Sequence, residues 1–443
     1  MHGEQIGKLG IAKMSGKIKT HKMILSPYGA TLFPLLLLFM SFIFPPSLYE
    51  HYVNEPDYMF LNFKMLAFGL LCVFFYYIGI SISNYRPIFN FRLTKKKIKL
   101  SIFSYLGLIL VIVILLQLLS IFLVFVYFYK AVYLNLLEIF ISGKGQLIKD
   151  YLGTEVRIPF GLGALPSFII GIKFWLLYKW YAFQAELSHL SKGEYFKLRI
   201  IILLSITLFI ISNIILVNRP LLMIFLLGWF LIYSYFNKGS IFRRIVKLSI
   251  IIVLIFIIVQ IFRSAGVDSY ENFDELVLGR LLGYTIADFN RFALMIEGKL
   301  SYVDAGISRI FYILPVLKIP LTNVAFFDLR EYASLALSAV GNAGLNSSLN
   351  MATLFGGIYQ SIGMATPLYF TVLGFIGNRL YISFKNGKTF GIIFYPLFYA
   401  SVALWMIDVN IFFMYFLYFF YSFIFVVLYE AFVNIKGGCR LNE

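Results

Sequence analysis

The sequence predicts an all-α, polytopic membrane protein with about ten transmembrane helices and a large helical extracytoplasmic loop between spans seven and eight. Three observations predict it. The chain is 60% hydrophobic and 13% charged, whereas soluble globular domains average about 25% charged. Its apolar residues fall in runs near the roughly 20 residues that a helix needs to cross a bilayer. Its bases cluster in alternate loops between those runs, which is the pattern of the positive-inside rule. The net charge of +17 therefore reads as topology, with no nucleic acid implied.

Ten apolar runs lie near 27–46, 59–83, 101–129, 162–183, 199–217, 221–236, 248–263, 364–384, 389–407 and 409–434. A basic tail, 1–26, precedes the first. It has no small-residue cleavage site, so the first run is expected to be an uncleaved anchor. The two tails and the loops after the second, fourth, sixth and eighth runs hold 22 bases. The opposite short loops hold none in Ser47–Asp57, four in Lys130–Phe160 and one at Arg219. Both termini are then expected in the cytoplasm. The chain divides into spans at 27–263, an outer segment at 264–363, spans at 364–434 and a tail at 435–443.

The loop at 130–160 is amphipathic in parts and is expected along the outer interface. Only Asn218-Arg219-Pro220 links the fifth and sixth runs, so Arg219 is held at the outer surface in a tight hairpin. Lys173 falls mid-way along the fourth run. A charge there is a candidate binding group, or else it snorkels from a shifted span.

The outer segment carries the chemistry. Nine of the 21 acids and six of the 38 bases lie between Ser264 and Asn350, so that stretch is net −3 and the rest of the chain net +20. Read as a helix at roughly 100° per residue, Asp274–Gly298 places Arg280, Tyr284, Asp288 and Arg291 in one quadrant. Leu278, Leu282, Phe289, Phe292 and Ile296 fall opposite. Two readings are open. The stripe is an anion site, since guanidinium grips phosphate oxygens in a bidentate way. Alternatively it is a solvated face on which Asp288 pairs with Arg291. A second helix is expected over Asp328–Val340, followed by the amide-rich Gly341–Asn350. The amides suit a hydroxyl-rich ligand, or form a turn-rich connector.

Two cysteines and four scattered histidines show neither a disulfide framework nor metal-ligand spacing. No Walker loop, GxGxxG, HExxH, GxSxG or D-x-D pair occurs. No cofactor and no metal are expected, and an enzyme of this kind would draw its donor from the membrane.

The order of parts resembles the bacterial oligosaccharide repeat-unit polymerases, the O-antigen or capsule polymerases often called Wzy. The resemblance covers most of the chain. It rests on about ten spans, the hairpin Val217–Pro220, the late outer loop, and the approach from Asn342 to Gly363. Many relatives carry an acid after the tyrosine that precedes span eight; this chain has Gln360. The resemblance implies a metal-independent glycosyltransferase of the bacterial cytoplasmic (inner) membrane. Its substrates would be polyprenyl-diphosphate-linked oligosaccharides, and its partners membrane lipid, a flippase and a chain-length regulator. Arg219, Arg280 and Arg291 would stabilise the leaving diphosphate, and Asp288 would take the acceptor proton. Tyr284, Asn290, Asn342, Asn346, Asn350 and Tyr359 would contact sugar or diphosphate.

Rival classes differ in recognisable ways. O-antigen ligases generally carry a histidine in the large outer loop, and Ser264–Gly363 has none. Other lipid-linked-sugar glycosyltransferases place acids in the first outer loop, as Glu50, Glu55 and Asp57 stand here. Flippases and transporters scatter charges through their spans and show internal repeats; here Lys173 stands nearly alone and no repeat is visible.

Overall fold

The computed structural model describes residues 23–53, 55, 61–85, 102–156, 158–237, 239–264, 275–301, 329–346, 349, 352–407 and 410–439. Among them the ordered elements are all helices. The first apolar run is broken. Helix α1 (Leu32–Phe42) ends just before Pro45-Pro46, and α2 (Pro46–Val53) departs at 103° to the preceding Pro27–Phe42 stretch. Proline lacks an N–H and biases its predecessor away from helix, so two in a row end the run.

Helices α3 (Phe63–Tyr85) and α4 (Ile102–Val132) follow, then the short α5 (Leu136–Ile141) and α6 (Gly145–Thr154). Four long helices come next: α7 (Leu165–Ala182), α8 (Lys192–Ile215), α9 (Arg219–Phe236) and α10 (Ile241–Ser264). The segment beyond α10 folds in part as α11 (Asp288–Ile296), α12 (Leu329–Asn342) and α13 (Leu354–Ile362). Helices α14 (Thr366–Lys385), α15 (Thr389–Ala403) and α16 (Ile411–Cys439) complete the chain.

Among the described residues, seven helices are long and apolar enough to cross a membrane, or eight if the bent first pair is one span. They are α3, α4, α7, α8, α9, α10 and α16. The runs at 364–384 and 389–407 are helical as well, but they differ from the expectation of plain spans. Helix α14 carries Asn378 and Arg379 in its body. Helix α15 has 15 residues, about 22 Å at 1.5 Å per residue, against a hydrocarbon core of about 30 Å.

What α15 lacks in length it has in burial: every residue from Gly391 to Ala403 is inside the protein. An all-round apolar helix belongs in a core, and α15 is the pillar on which α7, α9, α14 and α16 pack. The tightest helix pair is α3 with α14. Cβ atoms at Gly79 and Gly374 would run into the Thr371 and Tyr76 carbonyls across the pair. Small residues of this kind let membrane helices approach. Asn378 then donates to Ile80 O at 3.2 Å and Asn84 Oδ1 at 2.8 Å. At the other extreme, α10 is peripheral, with only 11% of its apolar window buried.

Candidate functional site

Four separate stretches meet at one end of α9 and α10. The first is the turn between α8 and α9. Val217 has φ 52°, a left-handed conformation that is unusual for a β-branched residue. The sharp turn it makes starts α9 at Arg219, with Pro220 in the first turn. The second stretch is the last turn of α10, which carries Gln260 and Arg263. The third is the start of α6, with Gln146 and Lys149. Helix α6 docks against the other two through Gly145. A Cβ there would sit 2.8 Å from Phe262 O and 3.1 Å from Val217 Cγ2. Phe140 on α5, stacked on Phe262 at 4.4 Å, holds the same junction. The fourth is the stretch from Glu275 to Ile296, which contributes Arg280 and Tyr284.

The side chains converge on one phenol. Arg263 Nη1 donates to Tyr284 Oη at 3.1 Å, and Arg263 Nε donates to Gln146 Oε1 at 2.5 Å. The Arg219 guanidinium lies over the rings of Phe256, at 4.9 Å, and Tyr284, at 5.7 Å. Its Nη2 donates to Gln260 Oε1, while Nε and Nη1 are buried without a hydrogen-bond partner. The charges of Arg263 and Arg280 both act on Arg219, and Lys149 feels Arg263, Tyr284 and Arg219. Burial, and then Arg263, push the Lys149 amine below its usual range. Burial pushes the Tyr284 phenol up, but Arg263, Arg219 and Lys149 together outweigh it and bring it down to about 8. Among the described residues, the guanidiniums of Arg219 and Arg263 and the Lys149 amine thus act together on the Tyr284 phenol, while Arg280 acts on Arg219 and Asp150 on Lys149. Such a site favours an anion with several oxygens.

A second constellation is closed. Arg291 and Glu55 form an ion pair with both side chains fully buried. Arg291 Nη1 reaches Glu55 Oε2 at 3.0 Å and Tyr49 Oη at 3.1 Å, and its Nε donates to Leu349 O at 2.9 Å. Tyr49 also donates to Glu55. Asn290 donates to Tyr49 Oη at 3.0 Å. Asn346 gives its N–H to Glu55 Oε1 at 2.7 Å and its amide to Val53 O at 3.1 Å. Burial pushes the Tyr49 phenol up. This knot ties α2 and Glu55 to α11 and to the chain after α12.

The expected stripe is therefore split. Tyr284 lies against Arg219, and the charge of Arg280 acts on Arg219. Arg291 stands apart: its carboxylate partner is Glu55, and the expected pairing partner Asp288 is itself 1% exposed. The reason is local. Glu275–Gly279 and Gly283–Ala287 are π turns. Their i→i+5 geometry sets each one's face back by roughly a quarter turn from an α-helical projection. The second lies between Tyr284's predecessor and Asp288, so a uniform 100° step loses the phase. Asp288 is buried, with no hydrogen-bond partner on Oδ2, and Asn290 and Asn346 use their amides on the knot.

The remaining candidates are scattered. Asn342 is exposed at the end of α12, and Asn350 lies outside the described residues. Tyr359 packs edge-to-face on Phe68 at 5.3 Å. Lys173 does not snorkel. It is 3% exposed and donates to Ser205 O at 2.8 Å and Ser205 Oγ at 2.6 Å, with Gln117 bonded to the same serine. It braces α4, α7 and α8. Among the described residues no group of three or more His, Cys, Asp or Glu is placed to hold a metal.

Sequence reasoning missed Arg263, Lys149, Gln146 and Gln260. The first two had a signal: they are bases in segments that the alternation of loop charge leaves poor in base. Comparison with known proteins adds nothing to these assignments: no protein family, curated protein or solved structure matches the chain.

Proposed function

We propose that this chain is a multi-pass glycosyltransferase that joins polyprenyl-diphosphate-linked oligosaccharide repeat units into O-antigen or capsular polysaccharide. The reaction would take place on the outer face of the bacterial cytoplasmic membrane, with both termini inside. The supporting observation is the convergence of Arg219, Arg263 and Lys149 on Tyr284, with the charge of Arg280 acting on Arg219 and with Nε and Nη1 of Arg219 buried without a hydrogen-bond partner.

In such a transfer the bond from the anomeric carbon to the lipid diphosphate breaks as the acceptor hydroxyl attacks that carbon and gives up its proton to solvent. The diphosphate leaves with the bonding electron pair. Fixed cations in a water-poor site stabilise that developing charge most effectively, because they need not reorganise during the step. Arg219 offers a fork matched to two phosphate oxygens. Arg263, Arg280 and Lys149 supply further positive charge. The cluster stands beside α10, whose apolar surface is largely open to lipid, so a prenyl tail would remain in the bilayer while its head group docks.

The test is the glycan ladder of a strain carrying Arg219→Ala, Arg263→Ala or Arg280→Ala at normal membrane abundance. Loss of polymer with retention of single repeat units is the expected result. Full-length ladders in all three variants would refute the diphosphate site. Absence of even single units at the surface would favour a flippase, and polymer retained on its lipid would favour a ligase.

A further inference from the structure

We propose that Tyr284, when ionised, is the counter-anion of the cationic site, and that a phosphate-class anion replaces its charge by driving a proton onto its oxygen. The proposal rests on the reading of this cluster as a diphosphate site and adds a proton to its chemistry.

The geometry carries the argument. The Tyr284 oxygen accepts from Arg263 Nη1 at 3.1 Å, and its ring lies under the Arg219 guanidinium. Lys149 is close enough for the phenol's charge to act on it. An incoming phosphate must use the same cations, because the free N–H groups belong to Arg219 itself. Two anions would then share one set of partners. The weaker acid of the two, the phenol, takes up the proton and becomes a donor to a phosphate oxygen. One O–H bond forms on Tyr284, the proton comes from solvent, and nothing is oxidised or reduced.

The neighbouring charges are these. Helix α9 brings Arg219, α10 brings Arg263, and α6 brings Lys149 with Asp150 beside it. Arg280 precedes Tyr284 by four residues, Asp288 follows by four, and Arg291 of α11 is occupied by Glu55. Helix α1, packed on the same turn, has no charge, and α2 brings Glu50 and His51, both exposed. Among the described residues the balance is cationic, and it holds the phenol at about 8 despite its burial. A bound anion offsets those cations and moves the phenol back up. Binding is therefore coupled to proton uptake, and affinity falls as pH rises past the ligand-free value, by up to about tenfold per pH unit.

The experiment uses the full chain in detergent micelles, as wild type and as Tyr284→Phe. First, phenolate absorbance is followed against pH without ligand. The expected difference spectrum is one phenol titrating near pH 8 in wild type and missing in the variant. Second, inorganic pyrophosphate and a short prenyl diphosphate are bound by calorimetry in two buffers of different ionisation heat. The readout is wild type minus variant, so the ligand's own protons cancel. Extra uptake of about half a proton at pH 8 is expected, approaching one at pH 9. Tighter binding of the prenyl compound assigns the site to a lipid head group; equal or tighter binding of pyrophosphate assigns it to a free ion.

No early-titrating phenol, or identical proton uptake in both proteins, overturns the proposal. If ligands still bind and Arg219→Ala still loses polymer, the functional reading survives that result. If neither ligand binds and Arg219→Ala makes full ladders, both fall together.

Discussion

Arg219 and Arg291 are both arginines beside a tyrosine, and their surroundings give them opposite roles. Arg291 is fully buried, faces the carboxylate of Glu55, and has acceptors on each of its nitrogens. Breaking such a pair from one side leaves a buried charge, which costs about 3–5 kcal/mol, whereas replacing both partners by apolar groups is often neutral. Glu55→Leu or Arg291→Met alone should therefore strongly lower the yield of folded protein in detergent, and the double variant should recover most of it. A double variant as unstable as either single one would contradict the knot as a self-contained pair. Among the described residues Arg219 has no carboxylate partner, and its Nε and Nη1 are buried without a hydrogen-bond partner. Arg219→Ala should leave folding intact and slow polymer formation on the order of 100-fold or more, the scale for removing one preorganised donor to a developing anion. Arg219→Lys should fall between, since it keeps the charge and loses the fork. Polymer length on gels, normalised to membrane abundance, measures both.

At the scale of elements, the site is set by how pieces dock. The π turn at Gly283–Ala287 turns Tyr284 towards Arg263 and Arg291 towards Glu55. The close approach at Gly145 brings Lys149 to Arg219 and Arg263. Gly145→Ala should thus shift α6 outwards by a few tenths of an ångström or more and shorten the polymer, while Gly193→Ala, with open space around it, should not. Equal ladders from the two variants would mean that α6 is not needed at the site. The elements were largely legible in sequence: the helices within 275–296 and at 329–342 fall where an amphipathic stretch and a second helix are expected. Their phase was not. A π turn is a backbone response to packing, with no residue signature comparable to that of proline, and a uniform helical projection cannot contain it. The break at Pro45-Pro46 did have such a signature, but hydropathy alone passes over it.

For the molecule as a whole, α15 organises the bundle and α10 stands at its rim. The proposed orientation can be tested without any assay of function. In a background without Cys72 and Cys439, a cysteine at Tyr133, which is 78% exposed, should react with a membrane-impermeant thiol reagent in intact cells. A cysteine at Lys192 should react only after permeabilisation. The reverse pattern would put the cationic cluster in the cytoplasm and end the outer-leaflet reading. The core has its own test. Gly374→Val drives two methyl groups towards the Tyr76 carbonyl and should markedly reduce the amount of folded protein, because backbone on both sides of the α3–α14 contact has nowhere to move.

Composition determined the all-helical character of this protein and its several helices long and apolar enough to cross a membrane, because the bilayer imposes that rule on every residue of a span alike. The charge pattern also brought Arg219, Arg280 and Tyr284 forward, because a charge at a hairpin or on a helical stripe is visible locally. Which residues complete the site was decided only by tertiary structure. Arg263 and Lys149 look like ordinary helix-end bases until α6 docks on α10. Arg291 looks like a member of the stripe until Glu55, 236 residues away in sequence, closes on it. Burial and pairing between distant segments are properties of the packed chain, and there the difference between a free guanidinium and a structural one is made.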